Sequence, residues 1–259
     1  MLSPIQTLHP SIAKHPYTTA SGAIVITLAI IAYRDYLQYV SMGPHGLPDT
    51  FWGWYTQLKM TRKSRKDVTA PAPYEIELIG GPHDRTMYLP QNAKDVLKWR
   101  SGKRPQIPNF VAPQRQTSDQ ASESMKKAMF GYLDEVVAAN EQFLQTQTSV
   151  LEGPVPAMGM KGFAILLDSE KPELLRSTKG EMCHIHPPDG STHMILSLAD
   201  QKSVIELGWG RRHRLSGGGL LPWNYTLVYA PRDEGEFAVW KRIVGASVDF
   251  CVAVIGDKR

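Results

Sequence analysis

The chain has 259 residues, 42% of them hydrophobic, with 29 Lys and Arg against 25 Asp and Glu for a formal charge of +4. That length buries one good-sized core or two small ones, and so small a positive excess lacks the basic stripe of a nucleic-acid binder, which sets nucleic acid aside as a partner. Cys183 and Cys251 stand far apart with no CxxC pair, which excludes a disulfide framework and a thiolate zinc site and suits reduced, buried side chains.

Taken in chain order, the first signal is "ASGAIVITLAIIAY", residues 20–33, nearly all apolar. With Tyr17 to Thr19 it reaches the roughly 17 residues at the short end of a spanning helix. Arg34 closes it and "RDYLQYV" follows in place of a small-residue cleavage site, so a membrane anchor is expected over a signal peptide or a buried core helix. Lys59, Arg62, Lys63, Arg65 and Lys66 come after the run, so the positive-inside tendency puts the rest of the chain in the cytosol. The localisation expected is a single-pass membrane protein of the endoplasmic reticulum with a cytosolic catalytic domain. Asn224-Tyr225-Thr226 is a glycosylation sequon, offered as the test of that topology. Phe51, Trp52, Trp54 and Tyr55 lie close together, either as rings at the lipid headgroups or as packing against the soluble domain.

From Asp67 to Gln120, Pro and Gly are dense enough to break long elements, which predicts an extended arm with one short helix near Ala93 to Trp99. A helix follows with Ser118 as N-cap and Met125, Met129, Tyr132, Val136 and Val137 on one face. Strands are predicted at "MKGFAILL", "GEMCHIH", "THMILSL" and "NYTLVYA", with a short helix over Asp200 to Leu207 ended by Gly208. The last helix starts at Asp233, with Glu236 completing a capping box and Phe237, Trp240, Val244 and Cys251 as its apolar stripe. The organisation is an anchor over 1–40, a membrane-proximal arm over 41–117 and a domain over 118–259. The fold class is α+β: a small mixed or antiparallel sheet flanked by helices, with an N-terminal transmembrane helix.

Three histidines fall in "GEMCHIHPPDGSTHMILSL". Strand alternation puts Met182, His184 and His186 on one face and Glu181, Cys183 and Ile185 on the other. Asp189-Gly190 suits a tight hairpin, so pairing His193 with His184 or His186 would gather all three imidazoles. Such a cluster suits one zinc, iron or copper ion with an open position, or a general base titrating near neutrality; ordinary strand histidines are the plain alternative. "GWGRRHRLSGGG" adds His213 in a glycine-rich loop with Trp209, Arg211 and Arg212, a composition that lets backbone approach a ligand, and it lacks a nucleotide phosphate pattern.

The run "GEMCHIHPPDGSTHMILSLADQKSVIELGWGRRHRLSG" followed by "LVYAPRDEGE" resembles the luciferase-domain family, which contains the fungal luciferases and many non-luminous members. The anchor, "RDYLQYVSMGP" and "WRSGKRPQIPNFVAPQRQ" come in the same order as in fungal luciferase. The resemblance implies a membrane-associated enzyme. In the luciferases, O2 adds without a cofactor to 3-hydroxyhispidin, a hydroxylated α-pyrone, and an endoperoxide then loses CO2. The matching positions are Glu181, His184, His186, His193, Trp209, Arg212, His213, Tyr229, Pro231 and Arg232. They imply Glu181 and the four histidines as catalytic, and Trp209, Arg212, Tyr229 and Arg232 as substrate-binding. Where the luciferases resemble "HMHDYHDCTLH", this chain has the shorter "HIHPPDGSTH", closer to the non-luminous members, so light emission is not expected.

The function expected is O2-dependent oxidation of a small, electron-rich, enolisable molecule. The alternatives are a decarboxylase, hydrolase or isomerase using the same histidines, or a membrane-tethered binding module without catalysis. The partners expected are a small-molecule substrate and a membrane. No obligatory redox cofactor is expected; O2 is the co-substrate, and the histidines act as bases or around a single zinc or iron ion held by His184, His186 and His193.

Overall fold

A computed structural model of the chain describes residues 16–43, 45–70, 80–92 and 96–256. Among these there are six helices and a six-stranded sheet. Helix α1 is Pro16–Ser41, α2 Phe51–Thr61, α3 Glu123–Ala139, α4 Glu173–Arg176, α5 Leu198–Glu206 and α6 Glu234–Gly256. The strands are β1 Leu144–Thr148, β2 Pro156–Met160, β3 Glu181–Ile185, β4 Thr192–Ile195, β5 Gly210–Arg212 and β6 Tyr225–Val228. Their spatial order is β1-β2-β3-β4-β6-β5 and every neighbouring pair is antiparallel, which makes this the α+β architecture expected.

One face of the sheet carries the main core. Trp240, Val244 and Cys251 of α6 are buried with Cys183, Ile185 and Met194 of the central strands and Met125, Met129 and Leu133 of α3. Two polar side chains on α6 also satisfy strand groups, since Trp240 Nε1 donates to Thr192 Oγ1 at 3.0 Å and Ser247 Oγ to the Ile195 carbonyl at 2.7 Å. Both cysteines are free thiols in this core.

Several elements differ from the sequence reading. The α3 cap is Ser122, whose Oγ accepts from Met125 N–H; Ser118 is occupied with the Gln106 N–H and the Asp119 carboxylate. "MKGFAILL" is no strand beyond Met160, because Gly162 takes φ +74° and Phe163–Ile165 forms a 3-10 turn. Three strands were not foreseen: β1 with its polar "LQTQT", β2, which shares only Met160 with the expected strand, and the three-residue β5. The short helix near Ala93 to Trp99 lies partly outside the described residues, and 96–99 is not helical. At α6, Asp233 Oδ1 accepts from Glu236 N–H at 2.8 Å, but the Glu236 carboxylate turns to Arg100 and Arg232, so only half of the capping box forms.

Helix α1 is long and apolar enough to cross a membrane, and its apolar window is exposed throughout. Its C-terminal end is docked: Tyr39 and Met42 form a second buried cluster with Trp54 of α2 and Phe110 of the arm, and Trp54 Nε1 donates to Asp35 at 2.7 Å. The aromatic group therefore divides, Trp54 inward and Phe51, Trp52 and Tyr55 outward, with Trp52 71% exposed. Asn224 is buried and its amide donates to Asp84 and to the Leu196 carbonyl, so the sequon cannot report topology as proposed from sequence.

Candidate functional site

The other face of the sheet holds the histidines. His184 on β3 is directly opposite His193 on β4, the pairing that brings both rings to one side. His186, one residue beyond β3, continues the ladder by donating its N–H to the Ser191 carbonyl at 2.9 Å, which leaves Pro187 to Gly190 as a four-residue loop. The hairpin is thus wider than the tight turn expected, though the antiparallel return holds. Gly190 has φ +80°, and a Cβ there would lie 2.7 Å from Ala121 Cβ, so glycine is required. His213 follows β5 and donates its N–H to the Tyr225 carbonyl at 3.1 Å. Ring centroids are 5.1 Å apart for His184 and His186, 5.3 Å for His184 and His193, and 4.8 Å for both His186 with His193 and His193 with His213.

Glu181 departs from simple alternation. The β2–β3 register shifts at Met158/Gly159, so that Met158 pairs with Cys183 and Gly159 with Glu181. The extra residue, Met182, joins Cys183 in the core, and the Glu181 carboxylate meets His184 Nδ1 at 2.5 Å. A bulge thus reversed both Met182 and Glu181 from the faces alternation assigned them.

Outward-facing partners orient two of the rings. Glu181 also accepts from Ser149 Oγ and from Val150 N–H at 2.7 Å. His186 Nδ1 lies 2.8 Å from Ser191 Oγ, which donates to Asp189 Oδ2 at 2.5 Å, and Asp189 accepts from Gln116 N–H as well. His184 Nε2 and His186 Nε2 face each other at 3.3 Å, and one ring nitrogen from each of His184, His186 and His193 falls within 4.8 Å of the others. Glu152 Oε2 is 3.8 Å from His186 Nε2, and Glu152 is ion-paired with the buried Arg115, whose Nη1 donates to the Met42 carbonyl at 2.8 Å.

Burial shapes the electrostatics. Desolvation, then the neighbouring imidazoles and Arg115, hold His186 well below the usual histidine value. His193 is lowered in the same way, chiefly by burial and by His213. His213 is lowered to about 3 by burial, then His184 and Arg214, and its Nδ1 accepts from Leu215 N–H at 3.1 Å. Burial pushes Asp189 up to about 6 against the opposing pull of Ser191 and Arg115, and holds the Tyr225 phenol well above its usual value.

A cavity of about 250 Å³ opens onto this face. Its polar lining includes His184, His193, His213, Glu152 and Tyr225, and its apolar wall comes from Leu47, Met60, Val111, Leu215 and Leu221. Tyr225 stacks on His193 at 5.0 Å, and its buried hydroxyl has no partner among the described residues. His186 sits behind the cavity wall.

Trp209, Arg212, Tyr229 and Arg232 do not line the cavity. Arg212 pairs with Thr226, which lies opposite Met194, so its row belongs to the core face; its guanidinium donates to Asp67. Trp209 Nε1 donates to the Lys98 carbonyl at 2.6 Å and Tyr229 Oη accepts from Arg211 at 3.1 Å. Arg232 clamps Glu236 and Ser101. Trp209 and Arg212 tie the arm to the sheet, Arg232 ties the arm to the last helix, and Tyr229 joins the end of β6 to β5. The residues that sequence reasoning missed are Glu152, Arg115, Ser191, Asp189 as a buried carboxylate, and Tyr225. Only the polar character of "PPDGS" and "APQRQ" hinted at them.

A buried imidazole cluster beside a cavity, on the face of an antiparallel sheet opposite the last helix, defines the class: an α+β protein with a polar site built under a proline-rich arm. Residues 179–247 match the model of the Luciferase domain family, a span that holds all four histidines. The chain is 28% identical over 245 residues to a luciferase of Neonothopanus nambi, covering 88% of this chain and 85% of that protein. It is 26% identical over 245 residues to a luciferase of Armillaria ostoyae, covering 90% and 87%, and 27% identical over 240 residues to one of Armillaria mellea, covering 87% and 85%. No solved structure matches. Residues 179–247 thus match a luciferase domain, and the chain is similar to fungal luciferases over most of its length.

Proposed function

We propose that the protein is a membrane-anchored oxygenase that oxidises a small, enolisable, electron-rich molecule, of the hydroxylated aromatic or α-pyrone kind, with O2 as co-substrate. The observation that carries this reading is the convergence of His184, His193, His213 and Tyr225 on one cavity, inside the segment that matches the luciferase domain. The cavity's apolar wall suits a flat ring, and the Tyr225 hydroxyl and the imidazoles suit its oxygens. Loss of the enol proton raises the electron density at carbon that bond formation to O2 requires, and a new C–O bond leaves the peroxide electrons on the outer oxygen. The cluster promotes this either as a base or around a single zinc or iron ion, and oxygen uptake is common to both. Helix α1 anchors the chain as a single span, with the domain on the cytosolic side. The shorter "HIHPPDGSTH" turn favours a dark reaction.

The test is oxygen consumption by the purified full-length protein offered a panel of hydroxylated α-pyrones and enolisable phenols. Stoichiometric O2 uptake without light is expected, and His193→Ala should cut the rate by roughly 100- to 10,000-fold. Product formation without O2 uptake would replace the oxidation with a decarboxylase, hydrolase or isomerase. Tight binding without turnover would make the chain a ligand-binding module.

A further inference from the structure

Two imidazoles of the cluster have their Nδ1 protons committed outward. The Glu181 carboxylate is ringed by donors, Ser149 Oγ and Val150 N–H, so the 2.5 Å contact is His184 Nδ1–H donating to it. Ser191 has one proton and gives it to Asp189, so Ser191 Oγ accepts from His186 Nδ1–H. A neutral imidazole protonated at Nδ1 carries a bare lone pair at Nε2. Those two Nε2 lone pairs face each other at 3.3 Å between buried rings. Such a pair repels unless something positive lies between, and a proton there would create a buried imidazolium, the form that desolvation opposes. His193 stands against both rings, its Nδ1 buried and without a hydrogen-bond partner among the described residues.

We propose that His184, His186 and His193 bind one divalent first-row transition ion, with its open side toward the cavity. Tetrahedral coordination by imidazole at about 2.0–2.1 Å sets ligand nitrogens roughly 3.3 Å apart, the separation of the two Nε2 atoms. Carboxylate groups behind the ligands, direct for His184 and through Ser191 for His186, are the arrangement that fixes the tautomer and raises the basicity of metal-bound imidazole. With no thiolate near, the donor set is all imidazole and suits zinc, iron or copper over magnesium or calcium. Glu152 is held by Arg115 and remains a neighbour of the site. The ion would act as a Lewis acid toward an oxygen of the substrate and leave the imidazoles as ligands. This assignment does not depend on the oxidation proposed for the cavity.

The test is titration of the purified full-length protein, stripped with chelator in detergent micelles, with Co2+ alone. One cobalt per chain is expected, with X-ray absorption fitting three imidazole nitrogens. His193→Asn should weaken binding at least about 100-fold, and Glu181→Gln and Ser191→Ala by roughly 10- to 100-fold. Absence of tight binding, fewer than two imidazoles in the fit, or unchanged affinity in His193→Asn would overturn the site. Should His193→Asn lose its near-ultraviolet circular dichroism, Ser191→Ala carries the comparison, since it removes only the relay hydroxyl; undiminished affinity there counts against the proposal. The two readings fail separately: cobalt bound with no O2 uptake leaves the metal site standing, and O2 uptake by protein that binds no metal leaves the base.

Discussion

The two faces of the central strands are built from alternate residues of the same segments, yet they do opposite things. On one face Cys183, Ile185 and Met194 meet Trp240, Val244 and Cys251, and the polar atoms of Trp240 and Ser247 have partners. On the other, His184, His193 and Tyr225 are equally buried, and His193 Nδ1 and the Tyr225 hydroxyl have no hydrogen-bond partner among the described residues. Apolar burial stabilises at about 25 cal/mol per Å², while a buried, unpaired polar group costs about 1–3 kcal/mol. The contrast teaches that the helix-covered face supplies the stability that lets the histidine face keep unspent hydrogen-bonding capacity for a ligand.

Substitutions can break that division, beginning with the most damaging. Trp240→Ala removes the largest fully buried side chain and the indole donor to Thr192 Oγ1, and should cost about 3–5 kcal/mol in denaturant unfolding. A loss under 1 kcal/mol would show that the helix-covered face is not the source of stability. Arg115→Ala leaves the Glu152 carboxylate buried without its ion-pair partner and should cost about 3 kcal/mol or more, whereas the double variant with Glu152→Gln should recover much of the loss. Failure of that rescue would mean that Arg115 acts through the Met42 carbonyl and the arm instead.

Gly190→Ala places a Cβ at φ +80° against Ala121 and should destabilise by about 1–2 kcal/mol, with a larger proportional loss of ligand affinity because the loop carries Asp189 and Ser191. Affinity unchanged at equal destabilisation would detach the loop from the site. Acid should act on the histidine face. His213, at about 3 when folded and near 6.5 unfolded, is neutral in the fold, so the unfolded chain binds the extra proton between those values and stability falls as pH drops below about 6.5. His186 and His193 act in the same direction. Asp189, at about 6 folded and 3.8 unfolded, opposes them only between those two values. Chelator-treated protein should therefore unfold more readily at pH 5 than at pH 7.5, and a midpoint independent of pH would contradict neutral buried imidazoles.

The smallest effect on the folded domain should come from truncation. Removing residues 1–33 keeps Tyr36, Tyr39, Trp54 and Phe110, the cluster that docks the end of α1. The domain should then unfold within about 1 kcal/mol of the full chain while leaving the membrane fraction. An unfolded product would show that the apolar run serves the domain itself.

By itself the sequence determined those features that depend on local period and local chemistry. The apolar run reads as a helix long and apolar enough to cross a membrane, the Phe237, Trp240, Val244 and Cys251 stripe reads as a core-facing helix, and the antiparallel return after "PPDG" brings His193 to the face of His184 and His186, because side-chain direction along a helix or strand follows from spacing alone. Tertiary structure decided the rest. The β2–β3 bulge turned Glu181 toward His184, and the pairing of Arg212 with Thr226 sent its guanidinium to the core face. The arm brought Arg115 and the loop after β1 brought Glu152 to one ion pair beside His186. None of these is a matter of spacing: a bulge and a strand register are settled by which backbones pair, and a charge on a loop acquires a partner only when the chain between has packed and water has been excluded.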